Sequence, residues 1–170
     1  NGADLVETAF LMEGLLACRQ YFSKSSEAEL RTKITSLWRA VEWDWFLNGT
    51  KQLYWHWSPD YGWHMNMAVK GWNEALMVYL LAASSPTHTI SKEVYDKGWA
   101  SNGGMKNGRK FYGITLPLGY DYGGPLFFTH YSFLGLDPRN LSDSYASYWE
   151  QNVAHAKINH AYCVANPKNY

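Results

Sequence analysis

The chain has 170 residues, enough to bury roughly 70% of its unfolded surface and fold without disulfides or metals. Fifteen basic and fifteen acidic residues give a formal net charge of 0, which argues against a surface that binds nucleic-acid phosphates. No apolar run reaches the ~20 residues needed to span a membrane.

The pattern in chain order begins with two predicted helices. Residues 4–22 carry apolar side chains around most of a helical circumference, which predicts a helix buried on more than one side. Residues 27–47 have apolar residues at three- and four-residue steps, which predicts an amphipathic helix. Ser26 and Glu29 form its predicted capping box, and Asn48 with Gly49 ends it.

The next part of the chain alternates between loops and short helices. Residues 51–67 predict a short hairpin or ordered loop with a turn at "SPDYG". An apolar helix is predicted from Glu74 to residue 83, with Asn73 as its N-cap. Ser91 caps a short predicted helix that runs to about Gly98.

The last 70 residues combine loop and helix signals. Residues 99–124 predict a loop with a small hairpin around "RKFYGITL". Pro125 is predicted to begin a helix that ends near Gly135, and a long helix is predicted over residues 142–164, before Pro167. The pattern therefore predicts an all-α fold of about six helices in three hairpins with long aromatic loops, as in a toroid of inner and outer helices.

Two carboxylates stand three residues apart at the predicted start of the first helix. Asp4 and Glu7 share one face there and point beyond the helix N-terminus. A capping box explains this spacing without any function, because acids are favoured at the positive end of the helix dipole. A pair of catalytic acids is the other interpretation, and the pattern alone leaves both open.

A third carboxylate, Glu74, begins the apolar run. Its structural interpretation is again an acid in a first helical turn. However, Trp72, Leu76 and Met77 form apolar surroundings, which favour the protonated form that a general acid needs. Three acids in an aromatic setting fit glycoside hydrolysis, in which one carboxylic acid protonates the leaving oxygen and a carboxylate activates water or attacks carbon.

Aromatic residues make up 17% of the chain, and several of the nine tryptophans stand in loop-like sequence. The apolar faces of sugar rings stack on indole, and four tryptophans near Glu74 in sequence could supply such platforms: Trp55, Trp57, Trp63 and Trp72. A single tryptophan is more often part of a core. His56 and His130 are candidate polar contacts in the same pocket.

The other reactive residues predict no metal or cofactor site. The six histidines show no metal-ligand spacing, and the sequence lacks the HExxH, GxSxG and P-loop motifs. Cys18 and Cys163 make no CxxC pattern, and we expect buried free thiols, although a long-range disulfide stays open.

Three long segments resemble one known family: "ADLVETAFLMEGLLACRQYF", "GWNEALMVYLLAASSPTHTI" and "GGPLFFTHYSFLGLDPRN". They are similar, in this order, to the glycoamylase-like domain family, often labelled "putative glucoamylase", whose characterised members are the endo-β-1,2-glucanases of glycoside hydrolase family 144. The resemblance runs through nearly the whole chain. It implies an (α/α)6 barrel and inverting attack by water, with Asp4, Glu7 and Glu74 matching the essential acids and Glu74 as general acid.

The resemblance also sets three expectations about context. A family barrel needs about twelve helices, so residues 1–170 are expected to be a portion of a larger catalytic domain whose remainder completes the barrel. Two other functions stay open: an exo-acting glucosidase on α-glucan, and a carbohydrate-binding or assembly module without activity. A polymeric glucan substrate implies a periplasmic or cell-surface location.

Overall fold

The computed structural model describes residues 2–169, and most of its regular structure is helical. Its α-helices are α1 (Leu5–Tyr21), α2 (Ala28–Ala40), α3 (Leu76–Ser84), α4 (Lys92–Val94) and α5 (Tyr148–Ala165). A π-helical turn over Tyr95–Trp99 continues α4. Two antiparallel strand pairs join β1 (Ala3–Asp4) to β2 (His56–Trp57) and β3 (Lys110–Phe111) to β4 (Ile114–Thr115). The predicted all-α class is confirmed as a mostly helical fold.

The prediction of about six helices in three hairpins is met only in part by the described residues. Residues 2–169 contain five α-helices, one of them only three residues long. The expected helix after Pro125 consists of 3₁₀ turns over Leu126–Thr129 and Tyr131–Phe133. Its amides donate three residues back, as from His130 to Phe127, so the tighter winding replaces an α-helix.

The second helix also differs from its prediction. It ends at Ala40, because Val41 is extended, and a 3₁₀ turn over Trp43–Leu47 follows. The predicted Ser26 and Glu29 capping box is absent: Glu29 pairs with Lys33, and Glu27 instead accepts the Lys24 amide.

Several turns match their predictions. Asn48 and Gly49 both have positive φ angles, of 47° and 73°, and end the 3₁₀ turn. Ser58 and Gly62 exchange two backbone hydrogen bonds across the "SPDYG" turn. The β3–β4 hairpin turns through Tyr112 and Gly113, also with positive φ, as the sequence "RKFYGITL" predicted.

The chain divides into two compact units. The first contains the chain up to Lys70 together with Leu76–Trp99. In it α1 packs against α2 and α3. Tyr79 lies at its centre: the buried hydroxyl donates to the Val69 carbonyl and accepts the Leu53 amide, at 2.7 and 3.0 Å. One α3 side chain thus fixes both ends of the 53–69 loop.

The second unit contains Gly71–Ala75 together with the chain from Ala100 onward. A small core joins the hairpin to α5 through Phe111, Leu116 and Ile158. Gln151 on α5 is fully buried, and its amide group bonds both the N–H and the carbonyl of Leu118, at 2.8 and 3.4 Å. This side chain holds the segment after the hairpin as a neighbouring strand would.

Two further predictions concern cysteine and membrane. Both Cys18 and Cys163 are free and exposed, so the prediction of buried thiols is wrong. Cys18 lies on the exposed face of α1, and Cys163 lies in the exposed last turns of α5. Among residues 2–169, every helix is too short or too polar to cross a bilayer.

Candidate active site

Asp4 and Glu7 lie together at the start of α1. Asp4 is the N-cap, and its Oδ1 atom accepts the Glu7 amide at 2.9 Å. Its Oδ2 atom accepts the indole N–H of Trp55 at 3.2 Å. The Glu7 carboxylate is exposed and takes no hydrogen bond or ion pair from residues 2–169. Asp4 is therefore held by the protein, whereas Glu7 is available to solvent or a ligand.

The strand β2 places two candidate contact residues beside Asp4. His56 pairs with Asp4, and Trp57 pairs with Ala3. Both side chains are half-buried. Gly2 contacts this strand so closely that a Cβ atom there would lie 2.6 Å from the Trp57 carbonyl and 2.8 Å from the His56 ring. Only glycine allows this approach of the Gly2 backbone to β2, whose pairing with β1 places His56 next to the α1 start.

Trp57 and Trp63 belong to one aromatic cluster in the first unit. Trp45 contacts both rings, with centroid distances of 5.2 Å to Trp57 and 4.8 Å to Trp63. Phe46 and Tyr54 pack against Trp63 at 5.7 and 5.9 Å. Trp45 is 43% exposed and so extends the aromatic surface. This role was not predicted from the sequence, because Trp45 fell on the apolar face of the helix predicted over residues 27–47.

Glu74 belongs to the second unit and is half-buried. It precedes α3, which begins at Leu76, and the predicted cap is present as an Asn73 side chain that accepts the Ala75 amide at 2.9 Å. The Glu74 carbonyl accepts the Ser132 hydroxyl, which fixes the backbone. Its carboxylate takes no hydrogen bond or ion pair from the described residues. The convergence of Glu74 with Asp4 and Glu7 stays a prediction.

Trp72 and His130, the other candidate site residues in the second unit, differ in exposure. Trp72 is only 2% exposed and stacks on Tyr148, with centroids 5.7 Å apart and planes 22° apart. A buried ring has no free face for a sugar, so this arrangement argues against a platform role for Trp72. His130 is exposed at the end of a 3₁₀ turn, which is compatible with a polar contact.

The remaining geometry concerns metals and pockets. Among residues 2–169, no group of three or more His, Cys, Asp or Glu is arranged to hold a metal ion. A surface pocket of about 300 Å³ in the second unit is lined by none of the predicted site residues. Its lining comprises Asp121, Tyr122, Gly124, Asn159 and Tyr162.

The chain is similar to proteins described as putative glucoamylases and as enzymes that act on β-1,2-linked glucose. Residues 66–170 match the Glycoamylase family model, described as "Putative glucoamylase", and the chain belongs to this family. A curated relative from Parabacteroides distasonis, an exo β-1,2-glucooligosaccharide sophorohydrolase (non-reducing end), is 45% identical over 191 aligned positions. That match covers the whole chain but 26% of the relative.

Two solved structures superimpose on the entire chain. A protein from Bacteroides uniformis, described as a "putative glucoamylase", is 56% identical with a TM-score of 0.97. The endo-β-1,2-glucanase from Chitinophaga pinensis, in complex with sophorotriose and glucose, is 53% identical with a TM-score of 0.96. The chain spans 42% of the length of each.

Proposed function

We propose that the chain forms part of a glycoside hydrolase that cleaves β-1,2-linked glucan by an endo-acting, inverting mechanism. The observation that carries the proposal is the 53% identity, over the entire chain, to an endo-β-1,2-glucanase that binds sophorotriose and glucose. The curated relative also acts on β-1,2-linked glucose, although as an exo enzyme.

The state of the three carboxylates supports distinct roles. In inverting hydrolysis one carboxylic acid protonates the glycosidic oxygen while a carboxylate takes a proton from the attacking water. Glu74 is half-buried and unengaged by the described residues, as suits an acid that must reach the leaving oxygen. Glu7 is equally unengaged and could reach water or a sugar hydroxyl. Asp4, held at both oxygens, suits a positioning role.

The aromatic cluster supports a saccharide substrate. Trp57 and Trp63 are half-buried and share the exposed ring of Trp45, so the first unit presents indole surface near the start of α1. Sugar rings stack on such surfaces through their apolar C–H faces. His56 and His130 are proposed polar contacts to hydroxyl groups.

The complete protein is proposed to build an (α/α)6 barrel from this chain and further helices. The relatives are more than twice as long as this chain, and α1 exposes an apolar stripe on the side away from its buried residues. A location outside the cytoplasm is also proposed, since polymeric glucans are met there. Fusion of the protein's complete coding sequence to a reporter, followed by cell fractionation, tests the location.

The substitution Glu74→Gln in the full-length protein tests the mechanism. Removing a general acid should lower kcat on β-1,2-glucan by about 10²–10⁴-fold, with substrate affinity and melting temperature nearly unchanged. Glu29→Gln, an exposed acid on α2, is the matched control and should retain full activity. Undiminished turnover by Glu74→Gln would remove Glu74 from the mechanism.

Product analysis separates the alternatives. The full-length protein should cleave sophoro-oligosaccharides internally and release products whose new reducing end is the α-anomer, as seen by NMR. Release of glucose from the ends of maltodextrin would instead indicate the exo-acting glucosidase. Binding without any new reducing ends would indicate a non-catalytic module.

A further inference from the structure

Trp55 is attached to the start of α1 at two points and to a neighbouring loop at a third. Its carbonyl accepts the Leu5 amide at 2.8 Å, and its amide donates to the Met67 carbonyl at 2.8 Å. Its indole N–H donates to Asp4 Oδ2 at 3.2 Å. The backbone of Trp55 is thus fixed between α1 and the residue 67 segment, and its half-buried ring is aimed at a carboxylate.

The two hydrogen bonds to Asp4 act on different oxygens. Oδ1 accepts the Glu7 amide, which any N-cap aspartate could do, while Oδ2 accepts the Trp55 indole. One donor alone leaves the carboxylate plane free to turn, whereas two donors on opposite oxygens fix it. The indole is therefore the group that converts an ordinary helix cap into an oriented carboxylate.

We propose that Trp55 is a positioning residue that acts on glucan hydrolysis through Asp4 and is not a stacking platform for the sugar. The inference rests on the proposed function and deepens it by assigning one of the four candidate tryptophans a different task. It differs from the role of Trp57 and Trp63, whose rings contact other aromatic rings.

The two roles predict different kinetics. Loss of a platform removes binding shared by substrate and transition state, so KM rises while kcat is unchanged. Loss of an orienting donor disturbs the reacting geometry, so kcat falls while KM changes little. We expect a roughly tenfold to hundredfold fall in kcat, the equivalent of one hydrogen bond to a charged group.

The sharpest test replaces Trp55 in the full-length protein by 3-benzothienylalanine, which keeps the shape of indole but has sulfur in place of N–H. The kcat for β-1,2-glucan should fall with KM and melting temperature nearly unchanged, and Trp55→Phe should show at least the same fall. Trp149→Phe, an exposed tryptophan on α5, is the matched control and should leave both constants unchanged.

Coupling to Asp4 completes the test. In an Asp4→Asn background the same replacement of Trp55 should cause little further loss, and the Trp55 indole ¹H–¹⁵N resonance should shift on Asp4→Asn. A rise in KM with constant kcat, or no change in either, would overturn the positioning role. A wild-type protein that cleaves no glucan would instead overturn the proposed function, and the catalytic role of Trp55 with it.

Discussion

At the residue scale, the three candidate acids differ in the hydrogen bonds that their carboxylates accept. Asp4 accepts hydrogen bonds at both oxygens, whereas Glu7 and Glu74 receive none from the described residues. Capping, as the sequence allowed, explains the hydrogen bond from the Glu7 amide to Asp4 Oδ1, but it does not explain the bond from the Trp55 indole to Oδ2. The proposed roles differ in the same way: Asp4 positions, whereas Glu7 and Glu74 act on water or substrate.

Tyr79 provides the strongest prediction on stability in the first unit. Burial raises the pKa of its phenol, so the hydroxyl stays protonated and bonds both Leu53 and Val69. Tyr79→Phe would leave two buried backbone groups unpaired and should lower the free energy of unfolding by roughly 1–3 kcal/mol. Urea denaturation measures this. Tyr120→Phe, at a 71% exposed site, should change it by less than about 0.5 kcal/mol.

His155 predicts a dependence of stability on pH. Burial is the main cause that lowers its pKa; His130 adds to this, and the Gly124 carbonyl, which its Nε2 contacts at 3.0 Å, opposes it. Below a pH of about 6.5, His155 binds a proton in the unfolded chain but stays neutral in the folded chain until the pH reaches its lowered pKa. Stability should therefore fall as pH decreases from about 6.5 toward the lowered folded pKa.

The variant His155→Gln tests this dependence, because glutamine can still donate to Gly124 but does not titrate. Urea denaturation between pH 8 and pH 5 should show a shallower loss of stability for the variant than for the wild type. Parallel curves for the two proteins would contradict the prediction.

At the element scale, local sequence signals located most helices but not their ends. The first helix was predicted over residues 4–22 and spans Leu5–Tyr21. The prediction was close because the apolar pattern and the N-cap residue Asp4 indicate the same helix start. The second was predicted to residue 47 but stops at Ala40. A 3₁₀ turn there buries Trp43 and Phe46, and that packing outweighs a continuous apolar period.

A substitution at Gln151 tests whether this one side chain attaches the segment around Leu118 to α5. Gln151→Leu removes both bonds to the buried backbone of Leu118 and should cost roughly 1–3 kcal/mol of unfolding free energy. Chemical denaturation gives the value. Gln20→Leu makes the same chemical change at an exposed position of α1 and should stay within about 0.5 kcal/mol of the wild type. Equal effects would show that the bonds to Leu118 contribute nothing.

At the scale of the whole molecule, α1 exposes an apolar face. Leu11, Gly14, Cys18 and Tyr21 follow at steps of three and four residues, and Leu11 and Tyr21 are 61% and 80% exposed. The sequence predicted burial on more than one side, yet the buried residues of α1 are confined to Leu5, Val6, Ala9 and Met12. An apolar helix exposed on one side is expected where further helices pack in the complete protein.

The substitution Leu11→Glu should have opposite effects in two contexts. In the isolated 170-residue chain it should reduce self-association, measured by sedimentation velocity. In the full-length protein, where further helices are expected to cover Leu11, the substitution should lower the free energy of unfolding by at least about 1.5–3 kcal/mol. Leu37→Glu on the exposed face of α2 should change little in either. Unchanged stability of the full-length Leu11→Glu variant would show that this face stays exposed.

The sequence by itself determined the family, the mostly helical class, the tight turns and the candidate acids. Those properties depend on neighbouring residues, such as the helical spacing of Asp4 and Glu7 or the positive φ at Asn48 and Gly49. Only the tertiary structure decided which candidates are engaged. It buried Trp72 and tied Trp55 to Asp4 across 51 residues, because such contacts depend on how distant segments pack.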